Sequence, residues 1–193
     1  MTHNEIVEKV KSILNEHGEV DALSIVDDRV QLENYINTAI PDAVVMLANR
    51  GYRVNAVVNA TQNLNAGAVP IPADYVGLLT LKLDGWKRAV AHLTVVGSQE
   101  YNVAMNDYTR PGVNSPMCYR DGGKIVCLPT SGTTYSIEYN AVYDALGNAD
   151  YELKAGPKEA VAVCYMAAAL VLGMFGDDVG KQRLSDISTN MLQ

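Results

Sequence analysis

The chain has 193 residues, a formal net charge of −7 and a pI of about 4.9. That length supports one domain, or one domain with an insertion, burying about 70% of the extended chain's surface. The acidity argues against a partner held by phosphate neutralisation, which needs a basic patch, but admits a surface past which DNA slides without being held.

Hydrophobic residues make up 48% of the chain and charged residues only 19%. That charge fraction is low for an isolated domain and points to surface covered by partners. The opening MTHNEIVEKVK carries charge throughout and lacks the apolar centre of a secretory signal. Thr2 and Glu5 match a capping box. Ile6, Val10, Ile13 and Leu14 then form one stripe, which predicts a helix over 4–17 ending at Gly18. Ser24 and Asp27 offer a second start. Leu32, Tyr35, Ile36, Ala39, Ala43 and Leu47 follow at helical spacing and predict a helix over 25–49. Pro41 lies inside that run and predicts a kink or a break there.

Between 52 and 74, valines and Leu64 are separated by asparagines and Gly67, which reads as an irregular or short-strand passage. A β insertion is then expected over approximately 70–145. Leu79, Leu81 and Leu83 alternate with Thr80 and Lys82 in a strand that meets an Asp84–Gly85 turn. Ala91, Leu93 and Val95 alternate with His92 and Thr94 in a second strand. Residues 97–117 form a polar loop with room for a helical turn around Glu100–Met105. Asp121–Gly122–Gly123 marks the clearest hairpin, and a two-residue Gly122–Gly123 turn sets Cys118 opposite Cys127. A register slip of one residue would remove that contact. From Thr133 to Tyr143, the residues Tyr135, Ile137, Tyr139, Ala141 and Tyr143 mark one strand face.

The segment PKEAVAVCYMAAALVLGMFG predicts a helix over 157–173, uncharged from Ala160 onward, with Pro157 suited to its first turn. An apolar helix with small residues all round is normally buried by close neighbours. A membrane span needs roughly 20 residues and is the lesser reading. Covering of one side on subunit assembly is a third. Asp177 or Asp178 caps a last helix over 178–191, where Leu184, Ile187 and Met191 recur and Arg183 faces solvent or an acidic partner. That helix docks either on its own domain or on another chain. The fold expected is α+β: a single domain over 1–193, an α-helical bundle with an inserted antiparallel sheet of four to five strands.

Catalytic signals are weak. His3, His17 and His92 show no paired metal spacing, and Cys118, Cys127 and Cys164 form neither a metal motif nor an even disulfide set. Asp27–Asp28 and Asp177–Asp178 sit at helix starts, where capping accounts for them. Ser131–Gly132 lies in a turn between strands and is no hydrolase elbow. Glycine-rich nucleotide motifs are absent. The chain is therefore read as a non-enzyme with no catalytic, cofactor-binding or metal residue and no cofactor. Two surface features stand out. Trp86–Lys87–Arg88 sets an aromatic beside two cations, either as a contact for a partner or with Trp86 packed on the sheet edge and the cations in water. Tyr135, Tyr139 and Tyr143 make either an exposed platform or a core row, and Ile137 and Ala141 between them favour core.

Helices, an inserted antiparallel sheet, an apolar helix and an amphipathic last helix follow one another in this acidic chain. IPADYVGLLTLKLDGWKRAV, GGKIVCLPTSGTTYSIEYNAVY and PKEAVAVCYMAAALVLGMFGDD carry the local matches. Over residues 24–190 the layout resembles the head-to-tail adaptor (connector) proteins of tailed bacteriophages and prophages. The resemblance implies a structural virion protein, a ring subunit that docks on a portal protein and lines the DNA exit channel. It implies contacts with neighbouring adaptor subunits in a homo-oligomeric ring and with tail or neck proteins. DNA passes without specific binding, and no membrane is involved. The implied location is the bacterial host cytoplasm during assembly and then the virion neck. Residues 177–193, with Arg183, Leu184, Ile187 and Met191, take the portal-facing role, and Trp86, Lys87 and Arg88 meet a neighbour. The alternatives are a small-ligand, carbohydrate or peptide binding module using the tyrosine face, and an enzyme without a recognisable motif.

Overall fold

A computed structural model of the chain describes residues 1–16, 29–64, 67–145, 148 and 150–193. In chain order these form α1 (His3–Glu16), α2 (Arg29–Asn49), β1 (Ala56–Asn63), β2 (Ala68–Pro70), β3 (Tyr75–Leu83), α3 (Gln99–Ala104), β4 (Met117–Asp121), β5 (Lys124–Leu128), β6 (Thr134–Ala141), α4 (Pro157–Met174) and α5 (Asp178–Leu192). Chain contacts divide into two compact units, Met1–Asn55 with Val142–Gln193, and Ala56–Ala141. The class is α+β. The expected Gly18 stop, the Ser24/Asp27 start, His17 and the Asp27–Asp28 pair lie outside the described residues.

In the helical unit, α4 packs against α1, α2 and α5. Its composition explains this position. Ala162, Val163, Cys164, Ala167, Ala168 and Val171 are all fully buried, and alanine at the contacts lets neighbouring backbones approach on several sides. By length and composition this helix could cross a membrane, but ten of its residues, among them Val163, Met166 and Leu172, are buried within the helical unit. Pro157 opens it as expected, after Gly156, which supplies no side-chain cap. The capping box of α1 forms in both directions: Thr2 N donates to Glu5 Oε2 at 2.8 Å, and Glu5 N donates to Thr2 Oγ1 at 3.3 Å. Asp177 rather than Asp178 caps α5, with Oδ1 accepting from Gly180 N at 2.9 Å. Pro41 does not break α2, which continues through it. The missing bond back to Asn37 is outweighed by Ile36, Ile40, Val44 and Leu47, all fully buried along one side.

Side chains tie the ends of this unit together. His3 Nε2 donates to Asn37 Oδ1 at 3.1 Å, which leaves Nδ1 to accept the Tyr143 hydroxyl at 3.0 Å. The Tyr143 ring meets Tyr151 edge-on at 4.8 Å. Burial pushes the Cys164 thiol up to about 12. Burial first, then Tyr151 and Cys164, raises the Tyr143 phenol. Both groups hold their protons more tightly when folded. Their contribution is therefore complete below the ordinary thiol value of 9.0 and phenol value of 10.0, and is lost as pH rises through the folded values. Urea midpoints are expected to be constant to about pH 8 and to fall steeply towards about pH 11. Equal midpoints at the two values would contradict the assignment.

The second unit holds two three-stranded antiparallel sheets, with strand orders β1-β6-β3 and β2-β5-β4. This replaces the single sheet of four to five strands expected from the sequence. The difference begins in the asparagine-rich passage, where Ala56–Asn63 pairs with β6 from Ala56↔Asn140 to Asn63↔Thr134. Another correction concerns residues 91–95. They form no strand: Val90 and Thr94 make isolated bridges to Leu81 and Tyr119. Thr94 is buried and Val95 exposed, opposite to the expected alternation. The inner faces of both sheets share one core, in which Val69, Cys118, Ile125 and Cys127 meet Leu81, Leu83, Tyr135, Ile137 and Tyr139.

Candidate interaction surfaces

The Asp84–Gly85 turn is fastened to the start of β6. Asp84 Oδ1 accepts from Thr133 N at 3.0 Å and Thr134 N at 3.4 Å. Gly132 permits this close approach. Its φ is +100°, and a Cβ there would lie 1.6 Å from Asp84 Oδ1. The turn directs Trp86 inward, where it is only 3% exposed and its Nε1 donates to Pro129 O at 2.9 Å. Trp86 is thus a core residue, because the buried sheet face takes the indole and the Pro129 carbonyl satisfies its N–H. Only Lys87 and Arg88 of that cluster are exposed.

On α5 the side facing α4 is Gly180, Leu184 and Ser188, spaced four apart. Leu184 is 1% exposed, and Ser188 Oγ donates to Ala162 O at 2.7 Å. The sequence stripe of Leu184, Ile187 and Met191 is split by this packing. Leu184 is interior, whereas Ile187 and Met191 are half-buried and Arg183 is exposed. Val179, Gln182, Arg183, Asp186, Ile187 and Asn190 line a shallow groove along the other side, with Val179 81% exposed. The helix docks on its own unit and keeps an outer face.

A third surface escaped the sequence reading. Val95, Val96, Val103, Met105 and Tyr108 are exposed in and beside α3, Tyr108 to 97%. Their segment contains glycine, proline and polar residues without periodicity, so it read as solvated loop. The only available signal was the count of large apolar residues within it. Beside it, Met105, Arg110, Pro111, Leu128 and Pro129 line a hollow of about 390 Å³.

The tyrosine platform does not exist as a surface. Tyr135, Tyr139 and Tyr143 are all nearly fully buried. The Tyr135 hydroxyl donates to Gln62 Oε1 at 2.8 Å, and that of Tyr139 to Asp74 Oδ1 at 3.0 Å. Among the described residues, no group of three or more His, Cys, Asp or Glu is arranged to hold a metal ion. Ser131 Oγ is buried with no hydrogen-bond partner among the described residues. His92 meets Glu100 at 3.8 Å in an exposed pair, worth little in water. Charge is unevenly distributed. Between 56 and 141, six acidic residues balance six basic ones. The remaining sixteen acidic and nine basic residues place the entire −7 on the helical unit.

Polar groups in this chain serve caps, turns and buried clamps, and its distinctive exteriors are an apolar loop patch and the outer face of a terminal helix. These features define an α+β protein with exposed apolar residues beside α3 and on the outer face of α5. The sequence matches the family model described as SU10 adaptor protein over residues 1–191, and the chain belongs to this family of phage adaptor proteins. No curated protein matches the sequence.

Proposed function

We propose that the chain is a head-to-tail adaptor subunit that forms a homo-oligomeric ring, docks on a portal protein and lines the DNA exit channel of a phage or prophage particle. The family match across 1–191 carries this reading. The free face of α5, from Val179 to Asn190, supplies the portal-docking surface. Lys87 and Arg88 meet a neighbouring subunit or a tail or neck protein. Both units act together as one adaptor domain. The acidic helical unit repels phosphate, so DNA passes without being gripped. Function is assembly without bond chemistry, first in the host cytoplasm and then at the virion neck. Native mass spectrometry or electron microscopy with a purified portal ring tests this. Stoichiometric recruitment is expected at concentrations on the order of micromolar. Absence of any complex there would overturn the reading, whereas a monomer without portal is consistent with it.

A further inference from the structure

The β4–β5 hairpin sets Cys118 directly opposite Cys127. Cys118 O accepts from Thr94 N at 2.7 Å, and Cys127 N donates to Gly67 O at 3.3 Å. Their backbone groups therefore point away from each other. This is the non-hydrogen-bonded kind of antiparallel pair, in which facing side chains come closest. The two sulfurs are 3.9 Å apart, and both residues are fully buried. Cα atoms in such pairs are about 4.5 Å apart, inside the range of about 4.4–6.8 Å that a disulfide spans. Closing the bond is thus chiefly a matter of side-chain torsions. The two-residue turn at Gly122–Gly123, with φ +60° at Gly122, holds the register that keeps the thiols opposed. Cys164, the third free cysteine, lies in the helical unit, where its Sγ donates to Ala160 O at 3.3 Å.

We propose that Cys118 and Cys127 are an oxidation site, forming a reversible intrachain disulfide that locks β4 to β5 when a low-molecular-weight disulfide is the oxidant. One cysteine thiolate attacks the external disulfide, releases one small thiol and forms a mixed disulfide. The second cysteine thiolate then attacks the protein sulfur and displaces the other small thiol. The two cysteines together lose two electrons and two protons, and the external disulfide is reduced to two thiols. Burial of both sulfurs means that exchange proceeds during folding or through opening of the hairpin. If the adaptor reading holds, the bond would form when the particle leaves a reducing cytoplasm. The pair itself does not depend on that reading.

The test uses the full chain, unfolded in urea and refolded in mixed oxidised and reduced glutathione, then alkylated and analysed by intact mass and peptide mapping. The expected product retains one alkylatable thiol of the three, Cys164, with the Cys118 and Cys127 peptides joined. Reduction should restore all three, and Cys164→Ala should leave the joined peptides unchanged. Amide exchange across β4 and β5 is expected to slow at least about tenfold on oxidation. Three alkylated cysteines after equilibration, or a bond involving Cys164 or a second chain, would overturn the proposal. Comparing oxidised with reduced wild-type chain decides the matter even if Cys164→Ala does not fold. Portal recruitment is measured separately, so failure of either result is recognisable as its own.

Discussion

Replacing Trp86 by alanine is expected to destabilise the β-rich unit by about 3–5 kcal/mol, the usual cost of emptying a large aromatic site. Two losses add at this position, and the site cannot relax to offset them. The indole leaves a core otherwise closed by Leu83, Ile125 and Tyr135. The Nε1 donor to Pro129 O disappears. The turn fixed by Asp84 and Gly132 keeps its geometry, so the cavity cannot collapse readily. Lys87→Ala and Arg88→Ala next door are expected to change stability by less than about 0.5 kcal/mol, because both side chains lie in water. Trp86 is the sole tryptophan, so its fluorescence reports unfolding of this unit in the wild type. In the variant, amide exchange of β3, β5 and β6 serves instead. Wild-type protection in Trp86→Ala would show that the indole is a surface anchor after all, and a large loss in either cation variant would show that the cation is packed and not solvated.

What the sequence revealed and what it hid divide along physical lines. The Thr2–Glu5 box was legible because both hydrogen bonds join residues three apart. The Cys118–Cys127 register was legible because the Gly122–Gly123 turn leaves few pairings. The apolar helix declared itself by having no polar side. β1 was hidden for the opposite reason: Val58, Thr61, Gln62 and Asn63 are exposed on this edge strand, so no buried face imposes alternation. Residues 91–95 alternated convincingly but in the wrong phase, since Thr94 is fixed by its backbone bond to Cys118 O rather than by hydrophobicity. The docking side of α5 was misread because large residues were sought, whereas close approach to α4 uses Gly180 and Ser188 around a single leucine. Of the residues assigned to interfaces, Trp86 and Leu184 are interior, whereas the exposed Val179 and Tyr108 lie outside any periodic pattern in the sequence. Apolar residues in a sequence do not say whether their partner belongs to the same chain.

Leu184 and Ile187 offer a direct way to separate those two meanings on one helix. Leu184→Asp is expected to lower stability of the helical unit by more than about 3 kcal/mol, because a carboxylate there would be buried without a partner. Leu184 is 1% exposed, and the nearby Ser188 hydroxyl is already committed to Ala162 O. Ile187→Asp places the same group one turn along but towards the shallow outer groove, where water solvates the charge. Its stability cost is expected to stay below about 1 kcal/mol. In the portal-binding assay the order reverses in interest: Ile187→Asp, folded and soluble, is expected to weaken recruitment at least about thirtyfold, the effect of losing an apolar anchor worth about 2 kcal/mol. Urea unfolding and portal titration of the same two variants give four numbers. A folded Ile187→Asp chain that binds portal as tightly as the wild type would remove α5's outer face from the docking surface. A stable Leu184→Asp chain would mean that α5 does not pack on α4 at all.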